Sequence, residues 1–286
     1  MKRASTPFDE VLYYQPGLQI GRFWLPVGHE DFEDTGAIEN HLLVIPTWAI
    51  EISYFDHAPV VADPTRAMCY NRGCEYRRRA LNPHGDLALW IAYGDEALAE
   101  SIGGTPEAPF RQRWAPLPND AFLAARSLNQ MLMRGELPDP MALEETAWWL
   151  LGRCQSDGAP GGNVHATRRQ QRTVANAEAL IAERYTDSLT LSQVAREVFC
   201  SPYHLCRLFK RLTGTSIHQR LNSLRLRDAV PAVMEGRDSL TQISAELGFA
   251  SLSHFSAAFR QAFGVPPSQL RKSPADFGIS RGGDAD

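Results

Sequence analysis

The chain has 286 residues, 44% hydrophobic and 22% charged, with five cysteines and a formal net charge of -4. That exceeds the roughly 150 residues of one average domain, so two domains are expected, and a disordered, collagen-like or disulfide-scaffold chain is excluded. No apolar run approaches the ~18 residues of a membrane helix, and Lys2 and Arg3 precede no apolar stretch, so a cytoplasmic protein with free thiols and no membrane contact is expected.

Charge is unevenly placed. Residues 1–166 hold 13 Lys+Arg against 22 Asp+Glu, whereas residues 167–275 hold 15 against 8. A basic second part joined to an acidic first part points to an anionic partner for the second alone.

In chain order, short strands are expected from about residue 20 to 93. Residues 49–54 alternate, 67–70 run into the turn Asn71-Arg72-Gly73, and 86–93 alternate around Leu87, Leu89 and Ile91. Asn119 is expected to cap a helix carrying Phe122, Ala125, Leu128, Met131 and Leu132, ended near Gly135. A second helix is expected over 141–154, with Leu143, Ala147, Trp148, Leu150 and Leu151 at helical spacing. Residues 1–155 therefore read as a β-rich domain closed by a helix pair. The stretch 156–163 gathers Gly, Pro, Ser, Asp and Asn and reads as a flexible linker, drawn here over 156–170. Residues 171–275 form the second domain, and 276–286 a disordered tail.

The second domain contains an internal repeat. Thr190-Leu191-Ser192-Gln193-Val194-Ala195 recurs as Ser239-Leu240-Thr241-Gln242-Ile243-Ser244, each opening with the hydroxyl-x-x-Gln pattern of a capping box. Ser201 to Lys210 then recurs as Ser251 to Arg260, and both copies stop at a glycine, Gly214 and Gly264. Capped helix, turn, capped helix and glycine is the grammar of the helix-turn-helix, whose second helix enters the major groove. Residues 216–235 between the copies can form a helix near 30 Å long at about 1.5 Å per residue. Consecutive major grooves on one duplex face are about 34 Å apart, so one molecule can read two of them.

Residues 173–272 resemble the DNA-binding domain of the AraC/XylS transcription regulators. The stretch that carries the resemblance is Gly248-Phe249-Ala250-Ser251 through Phe255, Phe259-Arg260, Phe263-Gly264-Val265-Pro266-Pro267-Ser268 and Arg271. Residues 20–155 resemble, more loosely, the cupin-like β-barrel or sandwich that serves such regulators in sensing and dimerisation. The resemblance implies an α+β two-domain fold, double-stranded promoter DNA and RNA polymerase as partners, a small-molecule effector, a homodimer, and regulation of the activator type without catalysis.

On the first reading helix the exposed positions are expected to be Pro202, Tyr203, Cys206, Arg207, Lys210 and Arg211, with Leu205, Leu208 and Phe209 inward. Arg207 suits bidentate bonding to guanine, and Tyr203 and Cys206 share its face and match base-contacting positions of the family. Lys210 and Arg211 are assigned to phosphates. The second helix offers Leu252, Ser253 and Ser256 to bases and Arg260 to a phosphate, with Ala257 where Arg207 stands in the first copy. Phe199 replaces the glycine usual in the family's first turn, and Pro231 is expected to kink or shorten the joining helix.

An alternative reading makes the first domain a metal- or thiol-responsive sensor through Cys69 and Cys74, with His84 and either His41 or His57. The His-x-His and Glu signature of catalytic cupins is missing, and no metal, cofactor or catalytic residue is assigned. Arg77-Arg78-Arg79 reads as a solvated edge. Trp24, Trp48, Tyr54, Tyr70, Tyr76, Trp90 and Tyr93 divide between core and ligand pocket, and an exposed Trp148 or Trp149 would mark an interface.

Overall fold

The computed structural model describes residues 8–55, 57–137, 139–156 and 166–273. Its first half holds β1 (Asp9–Gln15), β2 (Leu18–Leu25), β3 (Leu42–Pro46), β4 (Ile50–Ser53), β5 (Val60–Ala62), β6 (Arg66–Tyr70), β7 (Arg77–Ala80), β8 (Asp86–Tyr93), α1 (Asp95–Ile102), β9 (Trp114–Pro116), α2 (Asn119–Met133) and α3 (Pro140–Ser156). The strands form two antiparallel sheets, β1-β2-β8-β3-β6-β9 and β5-β4-β7.

The expected strands are present, but β8 is not half-solvated as its alternation implies. Leu89, Ile91 and Tyr93 turn toward the core shared with α2 and α3. Trp90 and Ala92 turn toward the core between the two sheets. The large sheet is thus covered on both faces, and period-2 alternation here separates two interiors rather than core from water. Tyr93 secures the helix pair by donating from its hydroxyl to the Ala147 carbonyl at 2.7 Å.

Two local expectations, at Asn119 and Arg78, need correction, and the tryptophans of α3 take the buried side of an open choice. Asn119 does not cap α2: Pro118 precedes the first turn, and the Asn119 amide donates instead to the Ala262 carbonyl at 2.7 Å. Arg78 is not solvated, because it is buried against Asp86 at 2.8 Å, while Arg77 and Arg79 remain exposed. Trp148 and Trp149 are both half-buried on the core, Trp148 packing its ring 4.9 Å from that of Tyr93.

The second half is helical: α4 (Arg168–Arg184), α5 (Leu191–Glu197), α6 (Pro202–Thr213), α7 (Ile217–Glu235), α8 (Leu240–Glu246), α9 (Leu252–Phe263) and α10 (Pro267–Lys272). Both ends of the stretch expected as linker are helical, since α3 reaches Ser156 and a Thr167–Gln170 capping box opens α4. The rest of the linker, residues 157–165, and the tail lie outside the described residues. Pro231 does not end α7, which continues to Glu235 and stops at Gly236 in the left-handed conformation.

The two halves share two buried clusters. Phe122 and Leu128 of α2, Leu226 and Val230 of α7, and Phe255 and Phe259 of α9 belong to a single buried cluster.

Candidate nucleic-acid interface

The two repeats fold as one unit made twice. A seven-residue helix, α5 or α8, leads through a short turn into a twelve-residue helix, α6 or α9. Ser201 and Ser251 accept the amides of His204 and His254 at 3.3 and 3.1 Å, satisfying an orphan donor at each start. Gly214 and Gly264 take φ values of 78° and 77° at the ends. Of the two repeats, the first has a reciprocal capping box, at Thr190–Gln193. In the second unit Ser239 caps the Gln242 amide, but the Gln242 side chain donates onward to Glu246 at 2.9 Å.

The turns diverge at one position. Gly248 has φ +73°, and a Cβ there would lie 2.8 Å from the Thr186 carbonyl oxygen and 2.9 Å from an Arg225 nitrogen. Arg225 holds this junction by donating to the carbonyls of Tyr185, Asp187 and Gly248 at 2.6, 2.7 and 2.9 Å. In the first unit Phe199 takes the same left-handed turn at φ +52°, the only non-glycine among the described residues to do so. Its side chain is 95% exposed, so the backbone is strained while the ring gains no burial.

Along α6, Leu205, Leu208 and Phe209 are buried, and Pro202, Tyr203, Cys206, Arg207, Lys210 and Arg211 are exposed, as the amphipathic period requires. Arg207 lies over the Tyr203 ring and donates to its hydroxyl at 3.3 Å. An arginine, a phenol and a thiol thus form one solvent-facing strip, with Lys210 and Arg211 at the helix's C-terminal end. Along α9, Ser253, Ala257 and Arg260 are exposed, Leu252 is 37% exposed and Ser256 is half-buried. His204 and His254, in the first turns of α6 and α9, are also exposed, although their side chains were not singled out from sequence.

Not all of the positive charge reaches the surface. Arg220, Arg225 and Arg227 of α7 are buried, and burial pulls Arg227 down to about 9. The signal for Arg220 and Arg227 was their spacing, which places them on one face of a helix with Leu224, an apolar stripe interrupted by cations.

A cavity of about 90 Å³ lies between the sheets of the first half. Tyr70, Tyr76 and Trp90 line it with Phe23, Ala62 and Met68, above the buried Arg78–Asp86 pair. Trp24 is exposed, and Tyr93 packs in the helix-side core. The thiols do not form a pair. Cys69 sits in the helix-side core at 4% exposure, whereas Cys74 packs at the core between the sheets. Burial pushes both thiols up, away from the thiolate that metal binding requires. Among the described residues no three His, Cys, Asp or Glu side chains converge on a metal-sized site.

Comparison with known proteins agrees with the geometry. Residues 194–273 match the family model described as a helix-turn-helix domain. They form a helix-turn-helix domain. The regulatory protein PocR of Salmonella typhimurium is 33% identical over 87 residues, covering 30% of this chain and 29% of its own. The transcriptional activator RhaS of Pectobacterium carotovorum is 25% identical over 196 residues, covering 65% and 63%. This chain thus matches less than two thirds of either relative's length. A solved AraC-type regulator from Chromobacterium violaceum is 28% identical, covering 40% of this chain and 96% of that one, with a TM-score of 0.35. The matched residues take in α6 to α10 and most of α5, so α5–α6 and α8–α9 are the two helix pairs, and α7 joins them. Among the described residues no helix is long and apolar enough to cross a membrane.

Proposed function

We propose that this chain is a DNA-binding transcription regulator whose α6 and α9 enter consecutive major grooves and whose first half senses a small-molecule effector. The observation that carries the proposal is the duplicated helix pair, its second helix capped alike by Ser201 and Ser251, with a cationic strip turned to solvent on α6. Tyr203, Cys206 and Arg207 read bases in the first groove, and Leu252, Ser253 and Ser256 make the weaker contacts of the second. Lys210, Arg211 and Arg260 meet phosphates, which fix register without specifying sequence. At 19 residues α7 spans about 28 Å at 1.5 Å per residue, close to the separation of the grooves.

The effector site in this reading is the cavity between the sheets, because it combines apolar walls, stacked tyrosines and a buried ion pair in one place. Homodimerisation through residues 1–155 and contact with RNA polymerase complete the reading. The exposed Leu137 and Met141 beside the start of α3 offer apolar surface for self-association.

Titration of a duplex recovered from a random-sequence pool, at graded salt, tests the proposal. Each phosphate neutralised contributes about -0.9 to the slope of log affinity against log salt, so the three assigned cations predict a slope of about -3 or steeper. A salt-independent affinity, or no binding at low salt, overturns it.

A further inference from the structure

The sensing cavity and the helix that joins the two reading units meet at one turn. Ala62, the last residue of β5, and Met68, in β6, both line the cavity. The residues that connect those strands, Asp63, Pro64 and Thr65, lie against α7. There Arg220 donates to the Asp63 carboxylate and the Thr65 hydroxyl, and Arg227 donates to the Pro64 carbonyl. Arg227 also donates to the Leu117 carbonyl at 2.5 Å and to Asn119 at 2.8 Å, tying in the chain that opens α2.

The turn is braced to move as one piece. The Asp63 carboxylate accepts from the Thr65 amide at 2.9 Å and its hydroxyl at 2.7 Å. Arg66 donates back to the Val61 carbonyl at 2.8 Å and across to Glu178 of α4 at 2.6 Å. Asp63, Arg66, Glu178, Arg220 and Arg227 are all buried. In such a network a displaced partner leaves an uncompensated buried charge, so the contact resists gradual slippage and favours discrete arrangements.

Resting on the assignment of the cavity as the sensing site, we propose that the Asp63–Arg66 turn couples cavity occupancy to the placement of α6 and α9 through its grip on Arg220 and Arg227. Strands β5 and β6 move apart or together as the cavity fills, the turn follows, and α7 shifts with it. Linkage makes the effect reciprocal: DNA held by both reading helices changes the affinity of the cavity by the same factor.

A substitution inside the cavity serves as the probe. Ala88 lines it from β8, away from the turn, and Ala88→Leu grows into the empty space. In the full-length chain it is expected to change duplex affinity by about fivefold or more and to alter amide hydrogen exchange across residues 217–235. In an Asp63→Asn/Arg220→Met background, which removes both charges together and leaves only the Arg227–Pro64 bond of the grip, Ala88→Leu is expected to change both by less. Val44→Ile, from β3, replaces Ala88→Leu if the larger side chain lowers the melting temperature.

Affinity and α7 exchange unmoved by a folded, cavity-filled chain overturn the coupling. An equal shift in the double-variant background overturns the turn as its route. A chain that binds no duplex contradicts the proposed function instead, and α7 exchange then decides the coupling by itself.

Discussion

The two helix-turn-helix units share caps, lengths and stops, yet they are anchored differently. In the first, α6 packs on α4, α5 and α7, all within the helical half. In the second, α9 also packs on α2 of the sheet-rich half, where Asn119 bonds Ala262 and Phe122 lies 6.3 Å from Phe263 between ring centres. The unit with Arg207, Lys210 and Arg211 shares a buried cluster with Ala49, Val61 and Leu81 of the sheet-rich half, but not with its helices α2 and α3. The unit with Ala257, Arg260 and Gln261 at the corresponding positions packs on α2 as well. Local sequence sets the shape of each unit, and surroundings set its freedom.

The strongest way to break this comparison is through the two cores. Phe209 lies in the first unit's cluster, which also holds Ala49, Val61 and Leu81, and Phe259 in the cluster shared with α2 and α3, both fully buried. Either phenylalanine to alanine is expected to cost about 3–5 kcal/mol in urea unfolding. Only Phe259→Ala is expected to raise hydrogen exchange in α2. Equal exchange in α2 for both variants would show that the second unit is no more tied to the first half than the first.

Base discrimination sharpens the comparison at the next scale. Arg207→Ala is expected to lose about 1–3 kcal/mol of preference at one base pair of the selected duplex, measured by competition against single-base variants. Ser256→Ala, at a half-buried position with only a hydroxyl to offer, is expected to lose less. Similar losses would mean that both units read sequence equally.

The turns give a smaller effect of opposite signs. Gly248→Ala places a Cβ against Thr186 and Arg225 in a left-handed turn, and is expected to lower stability by about 1–3 kcal/mol. Phe199→Gly relieves strain without uncovering any core and is expected to raise stability by up to about 1 kcal/mol. Thermal melts check both. A stabilised Phe199→Gly chain with weakened duplex binding would show that the exposed ring is held for contact.

Thiol labelling provides the gentlest test. Cys206 is exposed on α6, whereas burial pushes Cys154 up to about 12 and raises Cys69 as well. Cys206 is expected to react in the native chain, Cys69 and Cys154 only after unfolding, and the duplex is expected to protect Cys206. Unprotected Cys206 in a saturated complex would remove α6 from the groove.

Much of the second half was legible because its signals are local. Ser201, Gly214, Ser251 and Gly264 act within one turn of chain, and the exposed face of α6 follows from its helical period. The contact between the halves was not legible, because it depends on residues far apart in sequence. Arg220 and Arg227 count as surface charge until Asp63 and Pro64 are brought to them, and Asn119 suits a helix cap until Ala262 is beside it. Strand β1 was missed because both its faces are partly exposed and show no clear alternation, and β9 because it has only three residues and ends in proline.

The unequal reading of two consecutive grooves is tested most directly by selecting duplexes from a random pool with the full-length chain and reading the information at each position. The expected site has two segments about one helical turn apart, strongly specified where Arg207 sits and weakly where Ser256 sits. Two segments of equal specificity, or a site confined to one groove, would contradict it.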